Sequence, residues 1–251
     1  MNVLLAKEWN PTIDPTGWWM SEKLDGVRAY WTGSEFVSRN GNQFHAPNWF
    51  TEGLPEDALD GELFLERGKF QETVSIVRSH DARDRWARIH YVVFDAPEVP
   101  GTFEDRTSAA EHLLQRHYQS SVIGLDRCKG VYDLKAYLAE IEKHGGEGVM
   151  LRQPGSLYER KRSNTLLKVK TFHDAEAFVI GHEPGKGKHK GRLGALICAF
   201  NGSEFGIGTG FTDHERENPP AVGSCVTFSY QNLTNDGVPR FPSYVRSSVT
   251  L

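Results

Sequence analysis

Two hundred and fifty-one residues, 38% apolar and 25% charged, give room for one large domain or two modest ones and exclude collagen, coiled coil and intrinsic disorder. The longest apolar run, residues 194–200, is seven long against the roughly 18 residues that mark a membrane span, so no membrane insertion is expected. Net charge is −4 but unevenly spread: residues 1–100 carry ten basic and sixteen acidic side chains and residues 152–192 ten basic and four acidic, a pattern that points to a localised anion-binding surface.

The first nine residues hold neither a basic leader nor a long apolar core, so no signal peptide is expected. That places the protein in the cytoplasm, or in the periplasm if a leader has been removed. Residues 18–22, 27–31 and 35–38 read as successive strands, with Thr32-Gly33-Ser34 as a hairpin turn. Residues 89–95 have the β-branched and aromatic content of a buried strand. A helix is expected over residues 107–118, with Ala110, Leu113, Leu114 and His117 on one side. A second is expected over 133–144, with Asp133 as its N-cap, an apolar face of Leu134, Tyr137, Leu138 and Ile141, and Gly145-Gly146 at its end. Both precede strand-like segments, which implies helices packed on sheets. After about Phe172 only short strands are expected, at 177–180, 195–200, 204–207 and 224–230. Some 80 residues of this kind suit a small all-β barrel, giving two domains, 1–172 and 173–251. Cys128, Cys198 and Cys225 are odd in number and far apart, which excludes a disulfide framework and a zinc knuckle, and they read as buried thiols.

Two glycine-rich stretches invite a nucleotide-loop reading and fail it. Residues 185–191 lack the GK[ST] that opens a P-loop helix, and residues 206–210 are followed by no helical pattern and read as a turn. The informative cluster is Glu22-Lys23-Leu24-Asp25-Gly26-Val27-Arg28, a lysine at the end of one strand and an arginine at the start of the next. Such a lysine is an amine nucleophile once it sheds its proton, and nearby cations penalise its ammonium form. Behind it, in order, come Ser38-Arg39-Asn40-Gly41, Asp60-Gly61-Glu62-Leu63, Val93-Phe94-Asp95, Glu147-Gly148-Val149-Met150 and Leu166-Leu167-Lys168-Val169-Lys170.

This ordered series resembles the motifs of the covalent nucleotidyltransferases, the DNA ligases, RNA ligases and mRNA capping enzymes. Residues 5–26, the SRNG at Ser38 and the tail Gly237-Val238-Pro239-Arg240-Phe241-Pro242 narrow the resemblance to the minimal bacterial ATP-dependent DNA ligases of the Lig E type. It covers essentially the whole chain and implies an α+β fold: an adenylation domain of packed antiparallel sheets with flanking helices, then an OB-fold. It further implies that ATP is consumed, that AMP becomes covalently bound to Lys23, that Mg²⁺ or Mn²⁺ assists, and that a monomer acts on nicked duplex DNA. Motion of the second domain about residues 171–174 is expected to serve both the attack on ATP and the clamping of DNA.

On that resemblance, Lys23 is the nucleophile. Glu22, Arg28, Glu62 and Phe94 hold the nucleotide, with Glu62 on the ribose hydroxyls and Phe94 stacked on adenine. Glu147, with Glu62, lies near the metal, and Lys168 and Lys170 neutralise the α-phosphate. Arg28 and Arg39 also suit the 5′-phosphate of the nick, since guanidinium forks match phosphate oxygens. Lys186, Lys188, Lys190 and Arg192 on a glycine-rich loop, with Arg240, are expected along the DNA backbone. Arg246 corresponds to a sixth motif that orients pyrophosphate, after which Ser247 to Leu251 lack the charged residues that often follow in relatives, a departure expected to slow self-adenylylation. Two other readings stay open: an RNA ligase or capping-type guanylyltransferase, and a nick-binding module without catalysis.

Overall fold

The structure, a computed structural model, describes residues 2–81, 83–234 and 236–248. The chain forms two compact units, Met1–Lys170 and Thr171–Leu251.

The first unit runs β1 (Leu5–Glu8), β2 (Trp19–Glu22), β3 (Val27–Trp31), β4 (Phe36–Val37), β5 (Gln43–Phe44), α1 (Asn48–Thr51), β6 (Leu59–Phe64), α2 (Phe70–Arg78), β7 (His90–Asp95), α3 (Phe103–Leu113), β8 (Ser120–Val122), β9 (Asp126–Arg127), α4 (Val131–Lys143), β10 (Val149–Arg152) and β11 (Arg162–Val169). These strands build two sheets, of order β1-β11-β10-β2-β9 and β5-β4-β3-β6-β7-β8. Most pairs are antiparallel, as expected, but β1 lies parallel to β11 and β7 parallel to β8. Helix α3 lies between β7 and β8 in sequence, and such a crossover returns the chain in the same direction, which a hairpin cannot do.

The helices depart from the sequence expectation at their ends. Helix α3 starts four residues before Thr107, because Thr102 caps it: its hydroxyl accepts from the Asp105 N–H while Asp105 accepts in return. Residues 114–118 fall outside it. Helix α4 starts after Gly130, so Asp133 is not the N-cap. It sits in the first turn, where its carboxylate accepts from the Lys129 N–H at 2.8 Å. Helix α2 was not anticipated, since only Thr73, Ile76 and Val77 face inward over its nine residues. One core, with Phe36, Phe50, Leu63, Ile76, Trp86 and Tyr91, backs the six-stranded sheet, and a second, with Met20, Leu134, Val149, Leu151 and Leu167, joins α4 to the five-stranded sheet.

The second unit runs β12 (His173–Pro184), β13 (Leu193–Phe200), β14 (Ser203–Ile207), α5 (Asp213–Glu217), β15 (Cys225–Tyr230) and β16 (Ser243–Ser247), all pairs antiparallel in the order β14-β13-β12-β15-β16. Beyond β14, Thr209 bridges to Ser243, and the Tyr244 N–H donates to the Thr209 carbonyl at 2.9 Å, so the outer strands meet and the sheet closes on itself. Ala177, Val179, Leu196, Cys198, Val226 and Phe228 fill the interior. Two expectations are corrected here. A short helix, α5, interrupts the run expected to be strands alone, and Gly206-Ile207 end β14, in line with the strand expected over 204–207 and against the turn expected over 206–210. Cys128 and Cys198 are buried, Cys225 is half-buried, and all three are free thiols. No helix among the described residues is long and apolar enough to cross a membrane.

Candidate functional site

Side chains alternate across a strand, so one face of β2, β10 and β11 presents Ser21, Met150, Arg152, Leu166 and Lys168, with Met150 in register with both Ser21 and Lys168. Lys23 follows directly after β2, where its N–H donates to the Gly148 carbonyl at 2.8 Å. The other sheet contributes Arg28 from β3, Asp60 and Glu62 from β6, and Phe94 from β7, with Arg28 and Glu62 cross-strand partners. Together with Leu4, Leu5, Ala6, Ile123 and Leu125 these residues line a cavity of about 370 Å³ whose wall combines apolar and charged side chains. That volume is within the range of small-molecule sites.

Two glycines set this geometry. A Cβ on Gly26 would lie 2.5 Å from the Leu63 carbonyl oxygen. Gly148 has φ +152° and would bring a Cβ equally close to the Val169 carbonyl.

The charge pattern centres on Glu147, whose two oxygens pair separately with the ammonium groups of Lys23 and Lys170. Burial alone would raise the Glu147 carboxyl, but the two cations outweigh it and hold it below its ordinary value. Burial and the Lys23 charge push the Lys170 ammonium down. Glu62 is pushed up to about 8 by burial, which outweighs the opposing pull of Lys23 and Arg28, with Glu147 and Asp60 adding smaller repulsions. Lys168 pairs with Glu8 at 3.0 Å.

Below the lysines lies a buried ionic layer. Asp60 and Asp95 face one another across β6 and β7, an arrangement that is repulsive unless each finds a cation. Asp60 takes Arg28 in a fork at 3.0 and 2.5 Å, which keeps the guanidinium firmly charged against the cost of burial. Asp95 takes Arg106 at 2.5 and 3.1 Å and Arg152 at 3.4 Å. Burial brings Arg152 down to about 10, with neighbouring Arg106 lowering it further against the pull of Asp95.

Of the residues singled out in the sequence, Glu22, Lys23, Arg28, Arg39, Glu62, Phe94 and Lys168 line the cavity, and Glu147 and Lys170 join it through ion pairs. The Glu22 carboxylate is not free there. Arg67 holds both its oxygens, at 2.7 and 2.8 Å. The remaining candidates belong to the second unit. Lys186, Lys188 and Lys190 are exposed, whereas Arg192 is paired with Asp213 at 2.9 Å and near Glu217. Arg240 lies against the Phe241 ring, and Arg246 is exposed on β16. Of the tail that follows it, residues 249–251 lie outside the described residues.

Arg152, Tyr158, Arg162 and Arg67 were missed. Arg152 was the most legible, two positions after Met150 and so on the same strand face. Arg67 and Tyr158 carry no such periodicity, because loops bring them in.

Residues 5–170 match the ATP dependent DNA ligase domain family, and residues 184–247 the DNA ligase OB-like domain family. The chain is 42% identical over 232 residues to a DNA ligase of Haemophilus influenzae, covering 92% of this chain and 86% of that protein. A solved structure of a Lig E DNA ligase superposes with a TM-score of 0.93 at 40% identity, covering 99% of both chains. The Chlorella virus DNA ligase-adenylate superposes with a TM-score of 0.58 at 26% identity, covering 100% of this chain and 99% of that one.

Proposed function

This chain belongs to the ATP-dependent DNA ligases, and from that premise we propose how its residues seal a nick in duplex DNA. The observation that carries the proposal is the placement of Lys23, a primary amine, in the wall of a nucleotide-sized cavity and paired with Glu147.

In the first step the Lys23 nitrogen attacks the α-phosphorus of ATP. The ammonium first loses a proton beside the Glu147 carboxylate that already accepts from it; as the freed amine attacks, a P–N bond forms, the bond to pyrophosphate breaks, and a second N–H proton leaves to solvent. The cavity takes adenine against Phe94, Glu62 accepts from the ribose hydroxyls, and Arg28, Lys168 and Lys170 offset the phosphate charge. In the second step an oxygen of the 5′-phosphate of the nick attacks the same phosphorus, breaking the P–N bond and restoring Lys23. The 3′-hydroxyl then attacks the 5′-phosphorus and AMP departs. Arg39, exposed at the cavity rim, suits the 5′-phosphate. Lys186, Lys188, Lys190 and Arg240 suit the DNA backbone, where contacts give affinity without sequence preference. Arg246 suits the departing pyrophosphate.

Among the described residues no three His, Cys, Asp or Glu side chains are grouped to hold a metal ion. Glu147 and Glu62 nevertheless repel one another, and as carboxylates they would hold a divalent cation that takes its other ligands from phosphate and water. Mg²⁺ or Mn²⁺ bound there supplies charge neutralisation at phosphorus.

Sealing of a labelled nick tests the proposal. Wild type should join DNA strands with ATP, Lys23→Ala should not, and GTP or an all-RNA nick should serve poorly. Equal sealing by Lys23→Ala would overturn the assignment, and preference for GTP or RNA would favour the capping or RNA-ligase reading.

A further inference from the structure

We infer that Tyr158 is a positioning residue of the nucleotide site, aiming Arg28 through the carboxylate of Asp60. The inference rests on the proposal that Arg28 contacts the nucleotide.

Four residues distant in sequence form one chain of hydrogen bonds. The Leu4 N–H donates to the Tyr158 oxygen at 3.2 Å, the Tyr158 hydroxyl donates to Asp60 Oδ2 at 2.6 Å, and Asp60 accepts both arms of the Arg28 fork. Arg28, Asp60 and Tyr158 all line the cavity, so the relay is part of its wall.

Geometry explains why a second donor is needed. The terminal torsion of an aspartate is broad, so packing alone does not fix the plane of a carboxylate. An Arg fork follows that plane, because it bonds both oxygens at once. Asp60 is fully buried, so its protein partners set its orientation, and Tyr158 supplies the third contact that holds the plane. The phenol is suited to this. Burial and the Asp60 charge raise its pKa, keeping the hydroxyl a donor. Its ring is in turn flanked by the guanidinium groups of Arg106 and Arg160, at 5.9 and 5.6 Å. On the far side Arg28 rests against the Phe94 ring at 5.3 Å and neighbours Glu62 across the strands. A turn of the Asp60 carboxylate would therefore swing the Arg28 cation relative to both groups assigned to the nucleoside.

The test is single-turnover formation of the lysyl adenylate against ATP concentration, for wild type, Tyr158→Phe, Arg28→Ala and the double variant. Tyr158→Phe keeps the ring between its arginines and removes only the hydroxyl. Its half-saturating ATP should rise about five- to tenfold, the scale of one lost net hydrogen bond, with the maximal rate within about twofold. Added to Arg28→Ala it should change nothing further. An unchanged half-saturation in Tyr158→Phe, alongside a raised one in Arg28→Ala, would overturn the inference and leave the role of Arg28 intact. The same rise repeated in the Arg28→Ala background would overturn it as well, since Tyr158 would then act by another route. If Arg28→Ala itself leaves half-saturation unchanged, the assignment of Arg28 fails and takes the inference with it.

Discussion

Glu147 balances two ammonium groups at once, and this makes it the side chain on which the resting site depends. Removing it leaves Lys23 and Lys170 facing each other across a half-buried space without the charge between them. Glu147→Ala should therefore lose adenylate formation even though Lys23 remains, by about 100-fold or more if the group also serves the metal, and gel separation of the adenylated form would read this. Glu62 presents the opposite case. Its carboxyl is pushed up from an ordinary 4.5 to about 8, so between these values the folded protein holds a proton that the unfolded chain has released. The stability it contributes is whole below 4.5 and is lost as the pH rises through 8. Melting curves taken from about pH 5 to about pH 9 should show wild type losing stability relative to Glu62→Gln, and parallel curves would contradict the raised value. Arg106 and Asp95 are purely structural by comparison, both almost fully buried and forked together. Arg106→Ala should cost about 3–5 kcal/mol in urea unfolding, because it strands a buried carboxylate with only the longer Arg152 contact.

At the scale of elements, the site depends on how strands end. Gly148 precedes β10 with its backbone in a region that L side chains rarely adopt and with no space for a Cβ against β11. Gly148→Ala should cost about 1–3 kcal/mol in strain. It should also slow adenylation disproportionately, because the Gly148 carbonyl receives the Lys23 N–H; a melting-temperature loss without a rate loss would contradict that link. These strands were largely legible. Residues 27–31, 89–95 and 195–200 carry the β-branched and aromatic content that packs on a pleated surface, and β3, β7 and β13 lie there within two residues. Helix ends were less legible, since Thr102 and Gly130 act before the apolar pattern begins. The residues proposed to carry the chemistry could be singled out because each lies in a short local motif. Tyr158 and Arg67 act across 98 and 45 residues of sequence, a separation that no local pattern reveals.

For the whole molecule, the acidic net charge conceals where cations are available. In the basic stretch of residues 152–192, Lys168 and Lys170 are paired within the first unit, and Arg192 is paired within the second. That leaves Lys186, Lys188 and Lys190 as the exposed cations of the glycine-rich loop. Replacing all three by alanine should weaken DNA binding at every sequence and reduce the slope of log affinity against log salt by about 2 to 3, as expected for three lost phosphate contacts. An unchanged slope would place the DNA elsewhere on the surface.

The central claim, that this ligase works through a covalent nucleotide on Lys23, is tested most directly by intact mass. The protein is first stripped of bound AMP with pyrophosphate and then incubated with ATP and Mg²⁺, alongside Lys23→Ala. The account predicts one AMP adduct on the wild type, none on the variant, and its discharge on adding nicked DNA. An adduct on Lys23→Ala, or none on the wild type with any nucleotide, would contradict it.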